Sequence, residues 1–359
     1  MRSHIHFRFL QEDIGDRPLV DTLLREVKIM ENYNLGAIFG TGRSGTTWLG
    51  AILQSHPEVS YRFEPFSRLK KTQVEIRQAF ELIQSDPFSA TELPSIYHAL
   101  LPAYPECEKP PFFPKNYPVR FSWGKSLAWP LARKNALGSR LFRYLYTPKG
   151  QPKLVFKEVN QAKLLIPLLA RTEIPIVYIV RHPCAVVSSV MRGQKDSLMP
   201  DGRRSVLKNL LAKHEPMLAE QYGEQLETLK PSEQEALLWL VEVGRSVSAC
   251  QNSPNGLLVI YEELTERPLE LTEKIFSHFG LNIAKESVSF IEESTNTSSA
   301  ARIKRGELGI NQYFTVFRDP KVSRDRWKQE MSTEDQQRVM KIVKNSPVFA
   351  LAAEQGLWV

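Results

Sequence analysis

The chain has 359 residues, of which 42% are hydrophobic and 24% charged. That composition builds a sizeable core and excludes wholesale disorder, and the length fits a single domain of the large α/β kind carrying insertions. A formal net charge of +7 suits an anionic ligand without choosing among a nucleotide, a polyanion and an acidic surface.

In chain order, the first thirty or so residues read as a helical arm, with Val20, Leu23, Leu24, Val27 and Met30 at helical spacing. They are charged throughout and carry no apolar leader, and no apolar run approaches the ~20 residues that span a bilayer. Leu35 to Phe39 is a short apolar run before a glycine-rich turn, the pattern of a buried parallel strand; Thr47 to Gln54 follows as a helix, ended before Pro57. Leu154 to Phe156, Ile176 to Val180 and Leu257 to Tyr261 are further strand-like runs. Helical patterns follow them at Ala162 to Ala170, Ala185 to Met191 and Leu269 to Phe279. This alternation predicts an α/β fold of the P-loop type, with a central parallel β-sheet flanked by helices on both faces.

Two stretches interrupt the alternation and read as insertions: residues 87–150, rich in proline and aromatics, and residues 194–230, polar and helical in pattern. Loops carried on a rigid scaffold are where substrate selection usually lies. Cys107, Cys184 and Cys250 lie far apart with no CxxC pair, so neither a zinc site nor a disulfide is expected. A reducing compartment is favoured, and the chain is expected to be cytoplasmic.

The segment from Gly40 to Thr47 sits between the first strand and its helix, where a phosphate-binding loop belongs. Glycines let the backbone approach an anion, and N–H groups at the helix start point at it. The spacing is G-x-x-x-x-G, but Thr46 follows where an ATPase has lysine, and the cation is displaced to Arg43. The strand Ile176 to Val180 ends in Arg181, not in a magnesium-holding aspartate. The loop is expected to bind an anion without a metal.

Gly42-Arg43-Ser44-Gly45-Thr46-Thr47-Trp48-Leu49 resembles the 5′-phosphosulfate loop of sulfotransferases that use 3′-phosphoadenosine-5′-phosphosulfate (PAPS), and Arg181 to Ser189 resembles their 3′-phosphate motif. Tyr261 to Pro268 is similar to the family's strand-end tyrosine segment. The basic loop containing Arg302, Lys304 and Arg305, with Ser323 to Lys328 beyond it, is similar to the C-terminal segment that helps hold the 3′-phosphate. The resemblance covers Leu35 to Phe66, Leu154 to Met191 and Leu257 to Lys328. It implies PAPS as donor, with 3′-phosphoadenosine-5′-phosphate (PAP) as product.

One departure separates branches of that family. Cytosolic phenol and steroid sulfotransferases carry a histidine two residues after a strand-end lysine, and here Lys157-Glu158-Val159 has valine there. The segment from His56 to Pro65 is instead similar to the glutamate segment of carbohydrate and protein-tyrosine sulfotransferases, with Glu64 in place. The resemblance implies Glu64 as general base, Arg43 and the loop amides on the 5′-phosphate, Lys157 near the bridging oxygen, and Arg181 and Ser189 on the 3′-phosphate. Tyr261 is expected to pack on the nucleotide or to belong to the core. His182 reads as structural, His56 as a brace for its turn, and His98 as the histidine that could stand in for Glu64. The acceptor is expected to be a hydroxyl on a glycan or glycolipid, with a tyrosyl or small-molecule hydroxyl as the alternative. A small-molecule kinase using ATP and a non-catalytic module binding an acidic glycan or nucleic acid stay open from the residues alone, though no nucleic-acid motif is recognised.

Overall fold

The computed structural model describes residues 34–118, 124–199, 204–295, 312–317 and 319–358. The expected N-terminal arm and the basic residues Arg302, Lys304 and Arg305 lie outside the described residues.

Five strands form one sheet in the order β2-β3-β1-β4-β5: β1 Leu35–Gly40, β2 Val59–Phe63, β3 Lys153–Val159, β4 Ile176–Val180 and β5 Gly256–Ile260. Every pair is parallel. β1, β2 and β4 are buried along their whole lengths, as near-continuous apolar strands of a parallel sheet must be.

The two faces are covered separately. Ile38, Val155, Val177 and Ile179 face a core shared with Leu49, Ile52 and Leu53 of the helix Thr46–Ser55 and with Ile275, Phe276 and Phe290. On the other face Phe39 meets Phe156 edge-on at 5.8 Å, and Phe156 meets Phe66 at 5.5 Å. There the helices Ala162–Arg171 and Pro183–Lys195 both pack against the long helix Pro231–Gln251. Among the described residues, neither the 87–150 nor the 194–230 stretch adds a strand.

Several boundaries shift from the sequence expectation, and two of the strand ends bear on the site. β3 runs on to Val159 rather than stopping at Phe156, because Lys157 and Glu158 are buried with partners and do not end the strand. β5 ends at Ile260, and Tyr261 starts a helix. The register aligns Phe63 with Lys157, Gly40 with Val159 and Ile179, and Val180 with Ile260. All five strands therefore end along one edge, the carboxyl edge where ligands of open α/β sheets bind.

Gly50 shows how tightly the loop helix lies on the sheet: a Cβ there would come within 2.2 Å of the Tyr61 hydroxyl on β2. Overpacking of this kind costs about 1–3 kcal/mol. Gly50→Ala is expected to lower stability by about that amount in urea unfolding; an unchanged midpoint would mean that Tyr61 moves aside freely.

Candidate active site

Each strand delivers one part of the site. After β1 the loop turns through Arg43 and Gly45, both with left-handed backbones at φ 73° and 97°. Gly45 cannot be replaced, since a Cβ there would lie 2.3 Å from the Tyr261 ring. Ser44 is fully buried and its Oγ donates to the Thr41 carbonyl at 2.8 Å, so its hydroxyl shapes the loop instead of facing a ligand. The Gly42 amide donates to Asn160 Oδ1 at 3.1 Å. No side chain caps the helix Thr46–Ser55 and its first turn carries no acid, which leaves its positive end open for an anion. Thr46 and Thr47 line cavities on both sides of the loop. Trp48 is buried, with Nε1 donating to Ser294 Oγ at 2.9 Å.

On the β4 side Arg181, Ser189 and Arg43 come together. Arg43 Nε donates to Ser189 Oγ at 3.0 Å and its guanidinium lies 4.1 Å from the Tyr313 ring centroid. Arg181 donates to the carbonyls of Arg43 and Ser323 and stacks 4.5 Å over Tyr261. Its Nε is buried without a hydrogen-bond partner. A buried donor of that kind is costly unless a ligand meets it. Arg192, Arg326 and Trp327 complete this small recess. Tyr261 is thus both core and wall: it covers Gly45, holds Arg181 and lines a cavity of about 110 Å³ beside the loop.

On the β2 side Glu64 and Lys157 form an ion pair at 2.5 Å, with side chains 18% and 2% exposed. The Glu64 amide also donates to the Lys157 carbonyl at 2.8 Å, which fixes the two residues across the register. Burial alone would raise the Glu64 pKa. The charges of Lys157, Arg68 and Lys109 outweigh it and hold the carboxyl below its ordinary value. Burial lowers the Lys157 pKa, and Glu64 opposes that shift without cancelling it. The pair opens into a cavity of about 660 Å³. Gly42, Arg43, Thr46 and Thr47 close it on one side, and Glu106, Lys109, Trp129 and Arg133 of the 87–150 stretch on the other.

The histidines separate clearly. His182 caps the helix Pro183–Lys195 by accepting from the Cys184 amide and stacks on Trp327 at 4.5 Å. Burial pushes its pKa to about 3, so it stays neutral. His56 bonds the Asn282 carbonyl at 3.0 Å and accepts from the Glu58 amide, bracing its turn. His98 is exposed on the helix Leu93–Leu100 and lines neither cavity beside the loop, so it is not placed to replace Glu64.

Sequence reasoning missed Glu158 and Asn160. Asn160 sits at φ 53° after β3, where asparagine is tolerated, and ties the loop down through the Gly42 amide. Glu158 is fully buried. Its carboxylate accepts from the Phe66 and Ser67 amides at 2.7 and 3.1 Å and from the Ser67 hydroxyl at 2.6 Å. It thereby anchors the short helix Pro65–Leu69 directly after Glu64, whose own backbone is left-handed at φ 51°.

Residues 37–350 match the family described as the sulfotransferase domain, and the chain belongs to that family, whose members use PAPS. It is a sulfotransferase. Among solved structures it is similar to a mouse sulfotransferase crystallised with PAP, at 13% identity and a TM-score of 0.47, covering 94% of this chain and 93% of that one. It is also similar to the sulfotransferase domain of the curacin biosynthetic pathway, at 14% identity and 0.45, covering 86% and 95%. A third likeness is to the sulfotransferase domain of the Synechococcus PCC 7002 olefin synthase, at 14% and 0.44, covering 88% and 97%. No curated protein matches the chain significantly. Family membership rests on the domain match, not on these distant likenesses.

Glu158 gives this site a pH signature. Burial pushes its pKa from 4.5 up to about 7, against the three Ser67 and Phe66 donors. A carboxyl with a raised folded-state pKa contributes stability that is full below its unfolded value and is lost as pH rises through the folded one. Wild type should therefore lose stability relative to Glu158→Gln between about pH 4.5 and pH 7, read as the difference in melting temperature. Parallel curves for the two proteins would show that Glu158 titrates normally.

Proposed function

We propose that this sulfotransferase moves the sulfuryl group of PAPS onto a sugar hydroxyl in a single in-line step with Glu64 as general base. The observation that carries the reading is the Glu64–Lys157 pair, placed beside the loop and opening into the large cavity. The chain fits the donor at both of its anionic ends. The uncapped helix start and loop amides suit the 5′ end. The Arg181 Nε without a partner suits the 3′-phosphate, with Arg43 and Ser189 beside it. Arg43 reaches Ser189, so it serves the 3′ side as well as the loop. The basic segment with Arg302, Lys304 and Arg305, outside the described residues, stays a proposed contributor to 3′-phosphate binding.

When bound, PAPS supplies an activated sulfuryl group. The acceptor oxygen bonds to sulfur as the bond from sulfur to the bridging oxygen breaks, and PAP keeps that electron pair. Glu64 takes the proton of the acceptor hydroxyl. Its depressed pKa keeps it ionised before transfer. Protonation removes the negative partner of Lys157, so the ammonium charge becomes free for the bridging oxygen as negative charge builds there. Arg43, Arg181 and Lys157 take the neutralising role that a metal has in nucleotide triphosphatases.

The whole chain is read as one sulfotransferase domain, with the 87–150 insertion as the acceptor wall and the 194–230 insertion beside it. Family membership sets aside the ATP-kinase reading. Trp129 and Phe314 on the cavity wall offer faces for a sugar ring, and this favours a glycan or glycolipid over a tyrosyl hydroxyl. The free, buried cysteines fit a reducing compartment, in line with a cytoplasmic enzyme.

Two variants test the assignment. Arg181→Ala should weaken PAP far more than AMP in calorimetric titration, because only PAP offers a 3′-phosphate; equal losses would remove Arg181 from that role. Glu64→Gln should keep PAP affinity and lose transfer by at least about a hundredfold, the lower range of general-base help. Near wild-type turnover of labelled PAPS by this variant would make Glu64 structural.

A further inference from the structure

The charges around the large cavity do not balance once its internal pairs are counted. Glu64 is matched by Lys157 at 2.5 Å. Glu108 is matched twice from behind the wall, by Arg62 at 2.9 Å and Lys125 at 2.7 Å. Arg43 is engaged by Ser189 and Tyr313. Arg68 and Arg133 then stand against Glu106, apart from a long contact of Arg68 with Glu64 at 3.7 Å. Lys109 lines both this cavity and the donor-side one. Arg68 and Arg133 line only the acceptor side among these cavities.

Both arginines are held against aromatic faces. The Arg68 guanidinium lies 4.7 Å from the Phe63 ring centroid and that of Arg133 lies 4.9 Å from Trp129. Trp129 is itself pinned by Nε1 donating to the Pro105 carbonyl at 2.8 Å and by an edge contact with Phe112. Arg68 reaches Glu64 only at 3.7 Å, longer than a hydrogen bond, and among the described residues no carboxylate lies within ion-pair distance of Arg133. A cleft lined by an excess of one sign, with low-dielectric walls, concentrates ligands of the opposite sign. Stacked guanidinium groups keep their planar donor forks for an oxyanion, and a carboxylate is the planar partner they fit.

Building on the reading of this cavity as the acceptor site, we propose that the acceptor is an acidic sugar. Its carboxylate is held by Arg68 and Arg133 while its ring lies against Trp129 and its reacting hydroxyl faces Glu64. Phe63 meets three cations, Arg68, Lys109 and Lys157, at 4.3–4.8 Å, whereas Trp129 meets one, Arg133, among the described residues, so Trp129 is the more open of the two rings for the sugar.

The test compares a 4-nitrophenyl uronide with the matching uncharged 4-nitrophenyl hexoside, which differ at C6 alone, carboxylate against hydroxymethyl. Each is titrated calorimetrically into protein saturated with PAP, after a melting shift has confirmed that PAP binds. Absence of that shift would count against the donor reading, separately from this proposal. The uronide is expected to bind at least about tenfold more tightly, the worth of a charge-assisted hydrogen bond. Its advantage should shrink as salt is raised. Arg133→Gln and Arg68→Gln should each remove most of the advantage while PAP affinity holds, and Glu64→Gln should keep it. Equal affinities, no binding of either sugar to the PAP complex, or a preference that survives both arginine variants would overturn the proposal.

Discussion

A lysine ammonium buried at the end of a central strand has to find a carboxylate, and the site follows from where that carboxylate is. Lys157 is 2% exposed, and its partner Glu64 begins the residue after β2, one register step from Phe63. Removing one member of a buried pair typically costs about 3–5 kcal/mol, since the other is left charged without compensation. The pair therefore fastens the edge strand β2 to β3 and holds a carboxylate ionised beside the loop. Lys157 is a structural tie before it is anything else. The left-handed turn at Glu64 is stable because Glu158, the next residue along β3, holds the helix that follows.

The strand order divides the labour. β1, β4 and β5 end in the loop, Arg181 and Tyr261, which gather around one small recess and one narrow cavity. β2 and β3 end in Glu64 and Lys157, which face the larger space. The loop residues Arg43, Thr46 and Thr47 line both. Donor and acceptor would thus approach from opposite sides of β1 and meet over its end, the geometry an in-line displacement requires.

The parts legible in the sequence were those set by local pattern. The apolar runs of β1 and β4 and the glycine spacing between β1 and its helix are short-range signals, and all stand where expected. Apolar periodicity stopped β3 at Phe156, because Lys157 and Glu158 look like surface residues until their partners from the β2 side are known. The direction of Arg43 was equally out of reach: it depends on Ser189 and Tyr313, 146 and 270 residues away. Glu64 was readable only through resemblance, since an isolated glutamate before proline has no pattern of its own. The arginines of the larger cavity needed the fold, which brings Arg68 and Arg133 into its lining from separate segments.

The buried cluster of Arg62, Glu108 and Lys125 ties the wall of the larger cavity to β2. Arg62 on that strand donates to the Leu100 and Leu101 carbonyls and pairs with Glu108, and Lys125 closes the cluster against Glu108 and the Tyr117 hydroxyl. For protein engineering this marks a natural seam. A foreign acceptor wall grafted between β2 and β3 would inherit a buried arginine on the scaffold side, so a working chimera must bring its own carboxylate at the position of Glu108 or give up Arg62 with it. Grafts that respect the seam would reshape the larger cavity while leaving the recess around Arg181 and Ser189 untouched.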